Sequence, residues 1–221
     1  MRKLLNFIQN PKVKSGILLS ILLALYILVS ATSYVQAVFT DISDSVFRLH
    51  VIANSDSEED QNLKYKVRDK LLDYMNSLCV DVKSKEDAIS LVEKHKKDFE
   101  NIALKVIHDE GFDYSVNINI GNFNFPTKTY GDISLPAGMY DALRVEIQNA
   151  SGQNWWCVMF PSLCFIDISS GIVDEDSKTL LKDNLSEEAY TVVSDNSNSA
   201  IKFKFKILEF FGKRNVITAK N

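Results

Sequence analysis

The sequence predicts an α+β protein: an N-terminal hydrophobic export or anchor helix, then one domain with helices packed on a mostly antiparallel sheet. Three observations predict it. Arg2, Lys3, Lys12 and Lys14 precede a stretch, Ser15 to Thr40, without a single charge. Apolar residues recur at helical spacing between residues 58 and 111, then at period two from residue 114 onward. The order of one strand, two helices and a strand cluster separates helices from sheet instead of alternating them, which favours α+β over a parallel α/β fold.

The N-terminus comes first. No Asp or Glu occurs before Asp41, and Ile17–Val29 is apolar except for Ser20. A basic flank followed by an apolar core is the pattern of an export signal. Val35-Gln36-Ala37 offers small residues for cleavage after Ala37, yet the uncharged stretch is also long enough to span a bilayer uncut. Residues 1–40 are therefore expected to be a signal peptide or a single transmembrane anchor, with the basic flank cytoplasmic and residues 41–221 outside. Without the four leading cations the 25 basic residues become 21 against 29 acidic ones, a net charge of −8. Such a domain is a poor partner for nucleic acid, and the chain meets the membrane through its N-terminal segment alone. About 180 residues suffice for one domain with a sizeable core.

Val46–Ala53, β-branched with charges at alternate positions, predicts a half-buried strand that ends at Asn54-Ser55-Asp56-Ser57. A helix follows, capped by Asp56 or Ser57, with Glu58, Glu59 and Asp60 in its first turn and Leu63, Val67, Leu71, Leu72 and Met75 on its apolar face. Ser84-x-x-Asp87 reads as the capping box of a second helix, carrying Ala88, Val92, His95, Phe99, Ile102 and Val106 and ended by Gly111. Tyr114, Val116, Ile118 and Ile120 alternate as a strand. Phe123 and Phe125 fall on the other parity, which predicts a bulge at Gly121-Asn122. Ala142–Gln148 and Trp155–Phe160 read as further strands, Leu163–Ile168 as a third, and Asp174–Leu185 as a short helix. Ser194–Ser199 is loop-like, and residues 201–211 fit a strand or a helix equally well.

Cys157 and Cys164 lie in the run Asn154–Asp167 with both tryptophans. They could form a disulfide, a metal pair or two buried thiols. Outside the membrane the disulfide is the expectation, since no second Cys or His pair stands nearby at ligand spacing. Cys79 is left over as a small buried residue. In a strand Trp155 and Trp156 point to opposite faces, so one fills the core and the other needs cover from a helix or a partner. Asn54–Asp60 fails as a calcium loop because Glu59 stands where glycine is needed and Tyr65 where a bidentate glutamate is needed. Ser199-Ala200-Ile201-Lys202 and Ser194-Asp195-Asn196 match penicillin-recognising motifs only formally, in reverse order and without Lys-Thr-Gly. No nucleophile elbow, phosphate-binding glycine loop or paired zinc ligands stand out. The residue patterns alone describe an exported domain without a visible active site, cofactor or metal.

Three blocks go further. Phe47-Arg48-Leu49-His50-Val51-Ile52-Ala53-Asn54-Ser55-Asp56-Ser57, with Asp60-Gln61-x-Leu63-Lys64 and Lys66-Val67-Arg68-Asp69 behind it, is the first. Pro136-Ala137-Gly138-x-Tyr140-x-Ala142-Leu143-Arg144-Val145 is the second, and Asn154-Trp155-Trp156-Cys157-Val158-x-Phe160-Pro161-x-Leu163-Cys164-Phe165 the third. Together, over residues 46–168, they resemble the stage II sporulation protein R family. The resemblance implies a role in endospore formation: a signal made in the forespore, exported into the space between the two compartments, which triggers a mother-cell membrane protease to cleave the sigma-E precursor. It carries over no catalytic residues. The expected partner contacts are Asn54, Ser55 and Asp56, where strand hands over to helix, and Trp155 and Trp156. The rival reading is an exported cell-wall or peptide hydrolase, for which Asp56, Asp60, Arg68 and Arg144 are the candidate groups.

Overall fold

The computed structural model describes residues 11–79, 82–161, 173 and 175–194. Contacts divide the chain into two units, Met1–Val38 and Phe39–Asn221. A single helix, α1 (Pro11–Ser45), holds the uncharged stretch and is long and apolar enough to cross a membrane. Its side chains from Ile17 to Val29 are exposed, as lipid contact requires. Its hydroxyls are satisfied within the helix: Ser20 Oγ donates to the Gly16 carbonyl at 2.9 Å and Thr32 Oγ1 to that of Val29 at 2.8 Å.

The second unit is built on a four-stranded sheet. β1 (Phe47–Ile52), β2 (Val116–Phe125), β5 (Gly138–Ile147) and β6 (Asn154–Phe160) lie in the order β2-β5-β1-β6. β1 runs parallel to β5, in register Arg48↔Ala142 to Ile52↔Glu146, while β6 and β2 are antiparallel to their neighbours. The sheet is thus mixed and mostly antiparallel, and the fold is α+β. A two-stranded hairpin, β3 (Lys128–Tyr130) with β4 (Ile133–Leu135), stands apart from it.

One face of the sheet is covered by α2 (Glu58–Leu78), α3 (Lys85–Lys94) and α4 (Lys96–Asp109). Phe47, Leu49, Val51, Leu143, Val145 and Ile147 meet Leu63, Val67, Leu71, Met75, Val92, Phe99 and Ile107 in the core. The expected caps are present: Ser57 accepts the Asp60 N–H, and Ser84 that of Asp87. The second predicted helix, however, is two. It breaks at His95, which leaves the apolar stripe: its Nδ1 lies 2.9 Å from Asp98 Oδ2 and 3.2 Å from the Tyr74 hydroxyl, tying the start of α4 to α2. The buried positions skip from Val92 to Phe99 to match.

The other face is buried too, and this corrects two expectations. β1 is buried at all six positions, Arg48 and His50 included, so it is not a half-buried strand. β2 pairs with β5 through ten consecutive residues without a bulge. Phe125 simply belongs to the second face, where its ring centroid is 5.9 Å from that of Tyr140 and 4.8 Å from that of Trp156. The parity changes because the buried face changes. The hairpin closes over this region, and α5 (Glu175–Asn184) and α6 (Glu187–Ser194) complete the described elements. Lys178 of α5 pairs with Asp132 between β3 and β4 at 2.8 Å, and α6 lies against β4. The predicted strand 163–168 and the element at 201–211 lie outside the described residues.

Candidate functional site

At the end of β1 the chain must leave the sheet and start α2 within five residues, and a polar loop does this by hydrogen-bonding to itself. Ser57 caps the helix. Asp60, buried in the first turn, accepts on Oδ2 from Asn54 Nδ2 at 2.8 Å and from Ser55 Oγ at 2.5 Å. The loop between β5 and β6 fastens onto the same residues. Ser151 N–H and Oγ both donate to the Asn54 carbonyl, at 3.2 and 2.6 Å, and Gly152 N–H donates to that of Ala53 at 3.0 Å. Gln153 N–H donates to Asp56 Oδ1 at 2.7 Å. Gln148 and Ala150 adopt left-handed backbone to make this turn, with φ of 51° and 47°. A side chain on Gly152 would collide with the Ser55 carbonyl group.

Lys64, in the second turn of α2, ties the helix to the loop between β5 and β6. Its buried ammonium donates to Gln61 Oε1 at 2.5 Å and to the Gln153 carbonyl at 3.1 Å. Burial pushes its pKa down, the Arg68 charge adds to this, and Asp56 opposes it. Two residues beyond Gln153, Trp155 sits edge-on to Tyr65 with centroids 5.4 Å apart, and the Arg68 guanidinium lies 4.3 Å over its ring. Tyr65 is the exposed large apolar side chain of the second unit among the described residues. Asn54, Ser55, Asp56 and Trp155 are therefore brought to one end of the α2 face.

Trp156 is not part of that set. It stacks on His50 across the sheet, with centroids 3.8 Å apart and planes inclined by 20°, and His50 Nε2 is 2.7 Å from Asn154 Oδ1. The two tryptophans do face opposite ways, and α2 supplies the cover of Trp155. Burial lowers the His50 pKa to about 4, against the bond to Asn154, so the ring is neutral. Beside it, Arg48 is fully buried, its guanidinium 4.1 Å from the Phe125 centroid and 4.8 Å from that of Tyr140. It donates from Nη2 to the Tyr130 hydroxyl at 2.7 Å. No carboxylate among the described residues pairs with it. Burial raises the Tyr140 pKa far above its ordinary value, so this hydroxyl stays protonated.

Of the four groups weighed for a hydrolase, Asp56, Asp60 and Arg68 lie at the start of α2 but are engaged in structural contacts, and Arg144 lies elsewhere. Asp56 and Asp60 fasten loops, Arg68 covers Trp155 and pairs with Asp69, and Arg144 pairs with Glu146 at 2.7 Å on the opposite face. No group of three or more metal-ligating side chains occurs among the described residues. Cys157 is buried on the helix-facing side of β6, but its expected partner Cys164 lies outside the described residues. Cys79 is a half-buried free thiol whose pKa burial pushes up, which makes it a weak nucleophile. Tyr65 and Lys64 are the patch residues that the sequence did not single out. Their signal was present in the i, i+3 pair of Tyr65 and Arg68, the spacing that lets a helix cover a neighbouring ring.

The model of the stage II sporulation protein R family matches residues 43–170. Stage II sporulation protein R of Bacillus subtilis (strain 168) is 34% identical over 165 residues, covering 74% of this chain and 72% of that protein. No solved structure matches. The matched span begins at the end of α1 and takes in the whole sheet and both loops of the candidate surface.

Proposed function

Because the chain belongs to the stage II sporulation protein R family, and so to sporulation, we propose that it is the exported signal by which the forespore activates a mother-cell membrane protease to cleave the sigma-E precursor. It acts by contact and breaks no bond. The anchor or signal occupies residues 1–40, and residues 41–221 form the signalling domain in the intermembrane space. The observation that carries the reading is the family match laid over an exported-type N-terminus: the family's span starts at residue 43, just after the uncharged stretch ends at Thr40.

The contact surface is the end of α2 with its two stitched loops: Asp56, Tyr65, Arg68 and Trp155. To activate, this surface must bind the active form of the protease more tightly than the resting form; equal affinity would shift nothing. A photocrosslinker at Tyr65 should capture the protease in sporulating cells, while one at Lys105 on α4 should not. A deletion strain that still processed the precursor at normal levels would overturn the role. Release of fragments from peptidoglycan by the pure protein would replace the ligand with a hydrolase.

A further inference from the structure

The outer edge of β2 lacks the features that keep sheet edges apart. Between Asp113 and Lys128 the chain holds no charged residue, and β2 itself holds no proline. Its pairing with β5 runs without a bulge, and it stands at the end of the strand order, with no strand beyond it among the described residues. Charge, proline, a bulge or a short strand are the usual protections of such an edge, and a long strand without them is a template for another. The ladder tells which backbone groups are offered. Gln148 N–H donates to the Ser115 carbonyl at 2.9 Å, a bond between directly opposed residues, in step with the register Val116↔Ile147. Opposed residues of an antiparallel pair alternate between bonded and non-bonded. The odd-numbered residues of β2 are therefore bonded to β5, and the N–H and C=O groups of Val116, Ile118, Ile120 and Asn122 point outward. The side chains of Val116, Ile118 and Ile120 lie on the helix-covered face, where Val116 and Ile120 are only half-buried. Asn117 and Asn119 lie on the other face.

We propose that the β2 edge joins two copies of this chain, antiparallel about a twofold axis at Ile118. Val116 of one copy then faces Ile120 of the other, Ile118 faces its own counterpart, and Asn117 faces Asn119. Apolar side chains meet apolar ones on the helix-covered face, and amide meets amide on the other. The joint holds about six N–H···O bonds, two for each bonded pair. An axis at Ile120 would instead set Ile118 against Asn122 and Asn117 against Phe123, so the side-chain pattern selects the first register. A charged peptide would find no counter-charge on this strand, whereas the strand's own sequence matches it. Nor does the domain's excess of acidic residues enter the joint, because β2 carries none of them. Pairing of this kind uses up the same edge in both copies, so assembly stops at the dimer. The inference stands on strand geometry and holds whichever role the domain plays.

The test uses the full-length protein in detergent micelles under mild oxidation, read on non-reducing gels. Non-bonded antiparallel pairs bring Cα atoms to about 4.5 Å, within disulfide reach, and Asn117 and Asn119 of the two copies form such pairs. Asn117→Cys/Asn119→Cys should crosslink chain to chain, and either single variant at least about tenfold less, since its thiols lie on the longer diagonal. An equal mixture of the two single variants should regain the crosslink; wild type, which keeps Cys79, sets the background. In sedimentation, Asn117→Lys/Asn119→Lys sets like charges opposite each other and should weaken association by about tenfold. Mixing it with Asn117→Asp/Asn119→Asp should restore association, which also shows that both variants are folded. Single variants that crosslink as well as the double overturn the register, and a double variant that does not crosslink overturns the pairing. Amides of β2 that resist hydrogen exchange equally in dilute and concentrated protein would mean that the chain's own residues cover the edge, and that too overturns the proposal.

Discussion

Replacing Gly152 with alanine tests whether the two loops of the candidate surface depend on close backbone approach. The new Cβ would fall on the Ser55 carbonyl oxygen and 2.5 Å from its carbon. Both are backbone atoms, which no rotamer change can move aside. Relief requires the loops to part, weakening Gly152 N–H to Ala53 O at 3.0 Å, Ser151 N–H to Asn54 O at 3.2 Å and Gln153 N–H to Asp56 Oδ1 at 2.7 Å. At a net of about 1 kcal/mol per hydrogen bond, the loss is about 3 kcal/mol. A domain of this size loses about 2–4 °C per kcal/mol, so the melting temperature of the full-length protein in micelles should drop by about 6–12 °C. Gly121→Ala is the control: its Cβ meets only the Phe123 ring, at 3.6 Å, and the change should stay within about 1 kcal/mol. A Gly152→Ala protein that melts within about 2 °C of wild type would refute the reasoning.

Three other outcomes are expected. Arg48→Ala leaves a cavity among Phe125, Tyr130 and Tyr140, while the Tyr130 hydroxyl keeps its bond to the Trp156 carbonyl at 3.1 Å, and should cost about 3–5 kcal/mol in urea unfolding. Arg48→Met, which refills the aromatic slot without a charge to desolvate, should cost less than half of that, and equal losses would contradict the packing account. His50, with its pKa lowered from 6.5 to about 4, rejects a proton that the unfolded chain accepts, so its contribution is whole above pH 6.5 and falls away toward pH 4. The wild type should lose about 2 kcal/mol across that window and His50→Gln clearly less; parallel curves would sink the assignment. Finally, if Cys157 and Cys164 are bridged, exported protein analysed without reductant should yield their peptide pair two hydrogens light; freely alkylatable thiols would remove the bridge.

Local chemistry in this chain was legible, and remote partners were not. Ser57 behind three acids and the Ser84-x-x-Asp87 box name their helix starts from a handful of neighbouring residues, and the structure puts both caps in place. Period-two alternation located β2 and β5, and a short apolar run behind a turn-rich segment located β6. The errors have a common cause. Charges at Arg48 and His50 read as marks of a solvent face because the rings that enclose them, Phe125, Tyr130, Tyr140 and Trp156, arrive from three later strands and a separate hairpin. The same hidden face made Phe125 look like the sign of a bulge. His95 fits an apolar stripe by spacing alone; its bonds to Asp98 and to Tyr74, on another helix, explain why it leaves that stripe where the helix breaks. The strands of the hairpin, three residues each, are too short for any period to show. Asn54, Asp56 and Trp155 were found as candidates, but their company with Tyr65 and Lys64 depends on how β6 lies beside β1.

The place of β1 at the centre of the sheet has a consequence for biogenesis. In the proposed export β1 would be the first strand to cross the membrane, yet its two neighbours end at Ile147 and Phe160. Until β5 arrives both edges of β1 are bare, and until β6 arrives one still is; bare edges invite mispairing and degradation. A copy that stops before Gly138 has no partner for β1, and one that stops before Asn154 leaves an edge of the central strand open. Strand order alone makes the centre of the sheet wait on residues delivered about a hundred positions after it.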